Sequence, residues 1–257
     1  MRLTFLGTGT SFGVPVVGCD CETCTSSDPR DARTRSGALL DLPGGRLLVD
    51  APPELRLQLL RAGVDRIDAV WLTHPHADHL HGIDDLRVFT TRHRLVLPAH
   101  LAREHEAEVR RRFAYIFDDW SPPPGTTKPA IELHPFDPGH AVDVLGARLE
   151  PLGLPHGPMT SWGFRVGPLA YITDAKRLPD AVLESLVGVD TLVLNALWWG
   201  NPHPTHFNIE EAVAAAQRVG AARTFLVHLT HRVGHRELEE RLPAGIRPAY
   251  DGLTLEI

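Results

Sequence analysis

The chain is poor in sulfur-containing residues and in long apolar stretches. It has 3 cysteines and 2 methionines among 257 residues, and three thiols cannot pair off as disulfides. Residues 1–13 contain neither a sustained apolar segment nor an A-x-A-like cleavage site. No apolar run approaches the roughly 20 residues that a membrane-spanning helix needs. These absences argue against a disulfide scaffold and a membrane protein, and they predict a cytoplasmic protein with reduced thiols.

An excess of positive charge is also lacking. The net charge is −6 at pH 7, which argues against nonspecific binding to nucleic acid or to anionic membranes. Hydrophobic residues make up 43% of the chain and charged residues 23%, which is typical of a globular protein. The length fits one large α/β domain or two small ones, and no internal repeat is visible. We take a single domain over residues 1–257 as the prediction.

Histidine, by contrast, is abundant. The 15 histidines are about three times the usual share of roughly 2%. They are spread from His74 to His235, so they are not a terminal tag. Histidine is the commonest metal ligand in proteins. Their number alone leaves two interpretations open, a metal site or scattered surface histidines.

Short apolar segments bounded by turns predict a layered α/β fold. Residues 53–63 and 208–220 have helical patterns, the second with Asn208 as N-cap and Gly220 as its end. The predicted strands cover residues 2–7, 37–42, 46–51, 67–74, 147–157, 163–176, 191–197 and 222–231.

Residues 101–130 interrupt this pattern. Residues 101–117 predict a charged amphipathic helix, and a proline-rich loop follows it. One interpretation is a solvated helix with an irregular connection. The other is an insertion that forms a lid or a dimer element and brings an arginine or Trp120 towards a substrate.

The main functional signal is "THPHADHLHG", residues 73–82, which contains an H-x-H-x-D-H motif directly after a predicted strand. Imidazole and carboxylate groups are ligands for Zn²⁺ and Mn²⁺. Four such groups within six positions can surround one ion or two. A buried cluster formed by chance would leave a desolvated carboxylate at a large cost in free energy.

Four further residues, Asp50, His156, Asp174 and His228, each follow an apolar strand. Taken alone, His156 could be a turn residue, Asp174 a helix cap and His228 a packed strand residue. The ordered set, however, resembles the metallo-β-lactamase fold. The resemblance implies an αβ/βα sandwich, in which two packed mixed sheets are flanked by helices and carry a dinuclear metal site at their edge.

The resemblance also implies the ligand sets. One ion is held by His74, His76 and His156, and the other by Asp78, His79 and His228. Asp174 bridges the two ions, and Asp50 orients the histidine loop from behind. The residue types suit two Mn²⁺ ions or two Zn²⁺ ions and do not choose between them.

The cysteines lie together in residues 18–25, "GCDCETCT". Cys19, Cys21 and Cys24 are one ligand short of a closed tetrahedral zinc site; three inert thiols are the alternative. With "GTGTSFGVPVVGCDCETC" before the histidine motif, the chain is similar to the phosphoribosyl 1,2-cyclic phosphate phosphodiesterase (PhnP-like) family of phosphonate degradation. That resemblance implies one structural Zn²⁺.

The same resemblance implies His231 as the fourth zinc ligand, with His203 and His235 as competitors. Residues three apart in a strand point to opposite faces. We therefore expect a strand ending near His228 to present His228 to the dinuclear site and His231 to the cysteines.

The implied activity is hydrolysis of small cyclic phosphates such as 5-phosphoribosyl 1,2-cyclic phosphate, by attack of a metal-bridging hydroxide on phosphorus. His206 matches the general acid of the family, a role that suits its ordinary pKa; it could instead be a helix-capping residue. Asp78 belongs to the same catalytic centre. Arg87 and the arginines of residues 103–112 are weaker predictions for contacts to a distal phosphate. The resemblance further implies a homodimer.

Three alternatives remain at this point. A tRNA 3′-processing endoribonuclease shares the fold and the histidines, but a basic, glycine-rich arm is not visible here. A coenzyme-PQQ biosynthesis protein carries a comparable cysteine loop. A non-catalytic metal-binding or carrier protein would need neither a proton donor nor an open coordination position.

Overall fold

The computed structural model describes residues 1–257 and contains 14 strands and eight α-helices. The strands are β1 (Arg2–Gly7), β2 (Gly37–Leu42), β3 (Gly45–Val49), β4 (Ala69–Leu72), β5 (Leu97–Ala102), β6 (Ile131–Phe136), β7 (Val142–Val144), β8 (Ala147–His156), β9 (Met159–Val166), β10 (Leu169–Tyr171), β11 (Thr191–Asn195), β12 (Arg223–Val227), β13 (Ile246–Pro248) and β14 (Thr254–Glu256). The helices are α1 (Leu55–Arg61), α2 (Ala77–Leu80), α3 (Arg87–His93), α4 (Arg103–Arg112), α5 (Ala114–Phe117), α6 (Asp180–Ser185), α7 (Ile209–Val219) and α8 (His235–Arg241).

The strands form two seven-stranded mixed sheets. The first has the order β14-β1-β2-β3-β4-β5-β6, and the second has the order β13-β12-β11-β10-β9-β8-β7. In the first sheet the three pairings from β14 to β3 are antiparallel and the three from β3 to β6 are parallel. In the second sheet the three pairings from β13 to β10 are parallel and the three from β10 to β7 are antiparallel. No helix of the structure combines the length and the apolar character that a membrane crossing requires.

The alternation of side chains along each strand explains the layers. In β3, Leu47 and Val49 face the core between the sheets, whereas Leu48 packs with the helices outside. In β11, Val193 faces inwards and its two neighbouring leucines pack against the helices of the other side. Both faces of these strands are buried, so the segments are continuously apolar. The expected αβ/βα sandwich is confirmed.

Helix α7 begins and ends where the sequence predicts. The Asn208 side chain accepts a hydrogen bond from the Glu211 amide, and the Glu211 carboxylate accepts one from the Asn208 amide, which completes a capping box. Gly220 ends the helix in the left-handed conformation, with φ of 71°.

Three predicted elements differ from the structure. The strand predicted over 222–231 ends at Val227, because His228 turns the chain with φ of +58°. The segment 163–176 contains the end of β9 and all of β10, separated by a turn at Gly167. The helix predicted over 101–117 begins only after β5 and is divided at Phe113, whose φ and ψ of −118° and 42° are not helical.

Candidate dinuclear metal centre and cysteine site

The seven predicted ligands and Asp50 lie at the ends of β3, β4, β8, β10 and β12 or in the short segments that follow these strands. Three of these residues, Asp50, Asp174 and His228, have φ values of 61°, 54° and 58°. Residues other than glycine seldom adopt this left-handed region, and such strain persists mainly where the surroundings hold it, often at functional sites. Asp50 and His228 turn the chain immediately after β3 and β12, and Asp174 does so three residues after the end of β10.

The first ligand group contains three histidines with converging ring nitrogens. His74 Nε2 lies 2.9 Å from His76 Nδ1, and His156 Nε2 lies 3.1 Å from the same atom. Two ligands that each lie about 2.1 Å from one ion are separated by roughly 3.0–3.4 Å. The spacing therefore fits a common cation.

The second group joins Asp78, His79 and His228. The Asp78 Oδ2 atom lies 3.5 Å from His79 Nε2 and 3.7 Å from His228 Nε2. Asp174 contacts both groups, because its Oδ2 lies 3.2 Å from His79 Nε2 while its Oδ1 lies 3.2 Å from His228 Nε2 and 4.0 Å from His156 Nε2. The structure thus brings all seven predicted ligands together, with Asp174 in the middle.

Asp50 lies behind the second group. Its Oδ2 is 2.6 Å from His79 Nδ1, and its Oδ1 accepts a hydrogen bond of 2.8 Å from the Thr73 amide. A proton on Nδ1 of His79 leaves Nε2 free to bind an ion. Burial raises the pKa of the Asp50 carboxyl. Sequence reasoning did not identify Thr73, although its position between β4 and His74 was a usable signal.

Several ring nitrogens at the centre are buried without a hydrogen-bond partner. They are His79 Nε2 and both nitrogens of His228. Buried polar atoms are normally paired, because leaving one unpaired costs free energy. A divalent cation held by Asp78, His79 and His228 would satisfy both Nε2 atoms, so the donor set fits an ion that the fold implies.

The protonation states suit metal binding. Burial lowers the pKa of His74 well below its ordinary value and that of His156 to about 4, which keeps both rings neutral. Burial opposes ionisation of Asp78 and Asp174, but neighbouring histidines outweigh it and hold both pKa values below the usual range. Burial would also lower the pKa of His79, yet three carboxylates raise it well above normal. The negative charge of the three carboxylates around His79 therefore favours either a proton on this ring or a bound cation beside it.

His206 lies against the same carboxylate that joins the two groups. Its Nε2 is 2.8 Å from Asp174 Oδ1, and its Nδ1 is 2.8 Å from Thr205 Oγ1 and 3.2 Å from His203 Nδ1. The side chain is 13% exposed. Asn208, and not His206, caps α7, so the capping alternative is excluded. Burial and the neighbouring His206 lower the pKa of His203.

The three cysteines surround His231. Its Nδ1 lies 3.3 Å from Cys19 Sγ and 3.4 Å from Cys21 Sγ, and all four ligand atoms lie within 4.8 Å of one another. In a tetrahedral zinc site a sulfur and a nitrogen ligand are about 3.6 Å apart. Of the two competitors, His203 contacts His206, while His235 lies 3.1 Å from the Arg33 guanidinium.

His231 faces the cysteines as expected, but the predicted reason, alternation of His228 and His231 along a strand, was wrong. Since β12 ends at Val227, His228 and His231 belong to the following loop and do not alternate across a strand. The Cys24 amide and His231 lower the pKa of the Cys21 thiol to about 6, whereas burial raises that of Cys24 to about 11. Ionisation of the Cys24 thiol near neutral pH therefore needs a bound cation.

Arg87, predicted as a contact to a distal phosphate, is engaged within the chain. Its guanidinium donates hydrogen bonds of 2.6 and 2.8 Å to the Asp84 carboxylate, which also accepts one of 2.7 Å from the Tyr115 hydroxyl. Arg110 and Arg111 pair with glutamates of their own helix. Another residue that sequence reasoning missed is Asn195, whose side chain accepts from the Ala175 amide and donates to its carbonyl, so that the loop after Asp174 is held.

Comparison with known proteins agrees with this geometry. The family model described as "Beta-lactamase superfamily domain" matches residues 45–229. A solved structure described as a new diphosphatase from the PhnP family is 38% identical; the match covers 100% of this chain and 97% of that one, with a TM-score of 0.91.

The names of two curated relatives describe activities other than that of a diphosphatase. An octanoyltransferase of Porphyromonas gingivalis is 38% identical over 255 residues, which are 98% of this chain and 51% of the relative. A ribonuclease Z of Bradyrhizobium sp. is 30% identical over 186 residues, which are 69% of this chain and 58% of the relative. The chain thus spans between half and three fifths of the length of these relatives. Because the domain match covers well over half of the chain and coincides with the ligand-bearing loops, the chain belongs to the β-lactamase superfamily and has the metallo-β-lactamase hydrolase fold.

Proposed function

We propose that this protein is a dinuclear metal-dependent phosphodiesterase that hydrolyses small phosphodiesters, with 5-phosphoribosyl 1,2-cyclic phosphate as the leading substrate. The observation that carries the proposal is the position of Asp174. One carboxylate contacts ligands of both groups and the nearby His206. Two adjoining cation positions are the arrangement that in-line displacement at phosphorus uses, and the His206 imidazole lies beside them.

Two divalent cations, Mn²⁺ or Zn²⁺, would supply Lewis-acid charge for the phosphoryl oxygens and would acidify water. The residues of the chain determine where this happens. His74, His76 and His156 hold one position, while Asp78, His79 and His228 hold the other. Buried Asp50 fixes the ring of His79. The rigid carboxylate of Asp174 keeps the two positions adjacent.

His206 is proposed as the general acid. A histidine in contact with the bridging carboxylate can deliver a proton to the leaving oxygen as the phosphorus–oxygen bond breaks. Thr205 Oγ1 and His203 lie at its Nδ1 and orient the ring.

One comparison supports attack at phosphorus on a small substrate. The solved structure given above is described as a diphosphatase, and the anhydride bond of a diphosphate is opened by the same attack of water at phosphorus. Hydrolysis of a diphosphate diester is therefore our second candidate. Cleavage of precursor tRNA is supported by the ribonuclease Z relative, but the net charge of −6 opposes it.

The experiment is a comparison of kcat/KM for three substrates with the Mn²⁺-loaded protein. We expect the cyclic phosphate to be hydrolysed at least tenfold more efficiently than a nucleoside diphosphate sugar, and precursor tRNA to remain uncut. The Asp78→Ala variant serves as the control and should be inactive with every substrate. Preference for the diphosphate bond would establish the second candidate, and cleavage of the tRNA alone would contradict the proposal.

We also propose that Cys19, Cys21, Cys24 and His231 hold one structural zinc ion. His231→Ala should lower the zinc content of protein purified with excess zinc from about three ions per chain to about two, measured by mass spectrometry of the metals. His134→Ala is the matched control, because His134 lies on β6 and its side chain is 44% exposed. An unchanged zinc content in His231→Ala would show that another group completes the site.

A further inference from the structure

Helix α4, in the insertion at residues 101–130, has no part in the proposed chemistry, yet it contacts two loops that carry metal ligands. Its buried residues are His105 and Val109, and most of the rest is exposed or half-buried. We propose that α4 positions the three-histidine group, with Arg112 and His105 as positioning residues. The inference rests on the ligand group of the proposed function.

Arg112 binds the chain between two of the histidines. Its guanidinium donates through Nη1 to the carbonyl oxygen of Pro75, which lies between His74 and His76. No backbone amide donates to this oxygen. Pro75 is buried and its ring fixes φ, so holding this one carbonyl restricts the backbone on both sides. The hydrogen bond therefore stabilises the relative placement of the two ligand rings.

The Arg112 side chain is itself held. Its Nε donates a hydrogen bond of 2.5 Å to Glu108 Oε1, one turn earlier in α4. A planar guanidinium can bind a carboxylate with one edge and a carbonyl with another, which a flexible ammonium does less well. Arg112 thus links α4 to the histidine loop through two directed contacts.

At its other end, α4 contacts the hairpin that carries His156. His105 Nε2 donates a hydrogen bond of 2.8 Å to the Thr160 carbonyl, and Glu104 Oε1 accepts one of 2.6 Å from Trp162 Nε1. Thr160 pairs with Pro155 across the hairpin, and His156 pairs with Met159 at its tip. The third histidine of the group is therefore held from the same helix.

Neighbouring arginines show that these contacts are specific. Arg110 and Arg111 occupy the same turn of α4, but their ion pairs are with Glu106 and Glu108 of the helix itself. Only Arg112 reaches the histidine loop. A helix that was merely solvated would not need contacts with both ligand-bearing segments. Removing a residue that orients metal ligands typically lowers metal affinity by 10- to 100-fold.

The test compares Arg112→Gln with Arg110→Gln in the full-length protein, because Arg110 pairs with Glu106 and not with Glu108. Dissociation constants for Mn²⁺ are measured by competition with a chelator, and the visible spectrum of Co²⁺-loaded protein reports the ligand geometry. We expect Arg112→Gln to lower the affinity for one of the two ions of the dinuclear site by about tenfold and to alter the Co²⁺ spectrum. Arg110→Gln should change neither the Mn²⁺ affinity nor the Co²⁺ spectrum, and Arg112→Lys should restore part of the affinity.

A second pair of variants keeps the inference testable if Arg112→Gln proves unstable. His105→Leu removes the donor to Thr160, whereas His105→Gln retains one. We expect weakened binding of the same ion in the leucine variant and near-normal binding in the glutamine variant. Equal metal affinities in Arg112→Gln and Arg110→Gln, with His105→Leu also unchanged, would overturn the proposal. Because the readout is metal binding, failure of the proposed hydrolysis would appear separately, as normal metal content without turnover.

Discussion

Replacement of Asp174 by alanine is expected to remove at least one of the two active-site cations and to lower phosphodiester turnover by about 1,000-fold or more. Asp174 is the only residue whose carboxylate contacts ligand atoms of both histidine groups. Without it, the two positions lose their common ligand, together with a buried negative charge that offsets the charge of the cations. Loss of several kcal/mol of transition-state stabilisation corresponds to this change in rate.

Metal content and kcat should be measured on the same preparations. Asp174→Asn is the informative companion, because it keeps the shape and removes the charge; we expect intermediate metal content and a similarly large loss of kcat. Asp190→Ala is the matched control, since Asp190 has a half-exposed side chain that pairs with Arg223 at 3.2 Å. Full metal content and near-normal kcat in Asp174→Ala would show that this carboxylate does not bridge the ions.

His206→Ala is expected to retain both active-site cations and to lower kcat for the cyclic phosphate by about 100- to 10,000-fold, the usual contribution of a general acid. The ring lies in contact with Asp174 but also next to Thr205 and His203, so most of its polar contacts lie outside the two ligand groups. We expect KM to change much less than kcat.

A substrate with a better leaving group separates proton donation from other roles. Bis-p-nitrophenyl phosphate releases a phenolate that needs little help from an acid, so His206→Ala should lose far less activity on it than on the cyclic phosphate. His134→Ala, at an exposed position on β6, provides the control. Equal losses on both substrates, or a loss of bound metal, would mean that His206 is a ligand or a structural residue.

The parts of the site that lie close together in sequence could be predicted from it. The H-x-H-x-D-H motif places four candidate ligands between the end of β4 and α2, so local spacing carries the information. The more distant candidates, Asp174 and His228, were predicted from the resemblance of the ordered set, because each alone could be a structural residue at the end of an apolar strand. Parallel strands of one sheet bring their carboxyl ends to the same edge.

Features that depend on tertiary contacts could not be predicted in this way. The sequence "ARTFLVHLTH" contains neither glycine nor proline, so nothing in it marks the left-handed turn at His228, which tertiary contacts stabilise. Nothing in the sequence predicts that the 101–117 helix is divided at Phe113 either, because the surrounding residues have good helical propensity. Likewise, the charge pattern of α4 indicates a solvated face and does not distinguish Arg112 from Arg111.

The central claim, water attack at phosphorus within the dinuclear site, is tested most directly by phosphorus NMR in ¹⁸O-labelled water. The Mn²⁺-loaded protein would hydrolyse 5-phosphoribosyl 1,2-cyclic phosphate, and the manganese would be removed before the spectrum is recorded. The account predicts a ribose bisphosphate in which one phosphate signal carries the ¹⁸O isotope shift, and it predicts no product with Asp174→Ala. A product without ¹⁸O on phosphorus, or an unchanged substrate spectrum with fully metal-loaded protein, would contradict it.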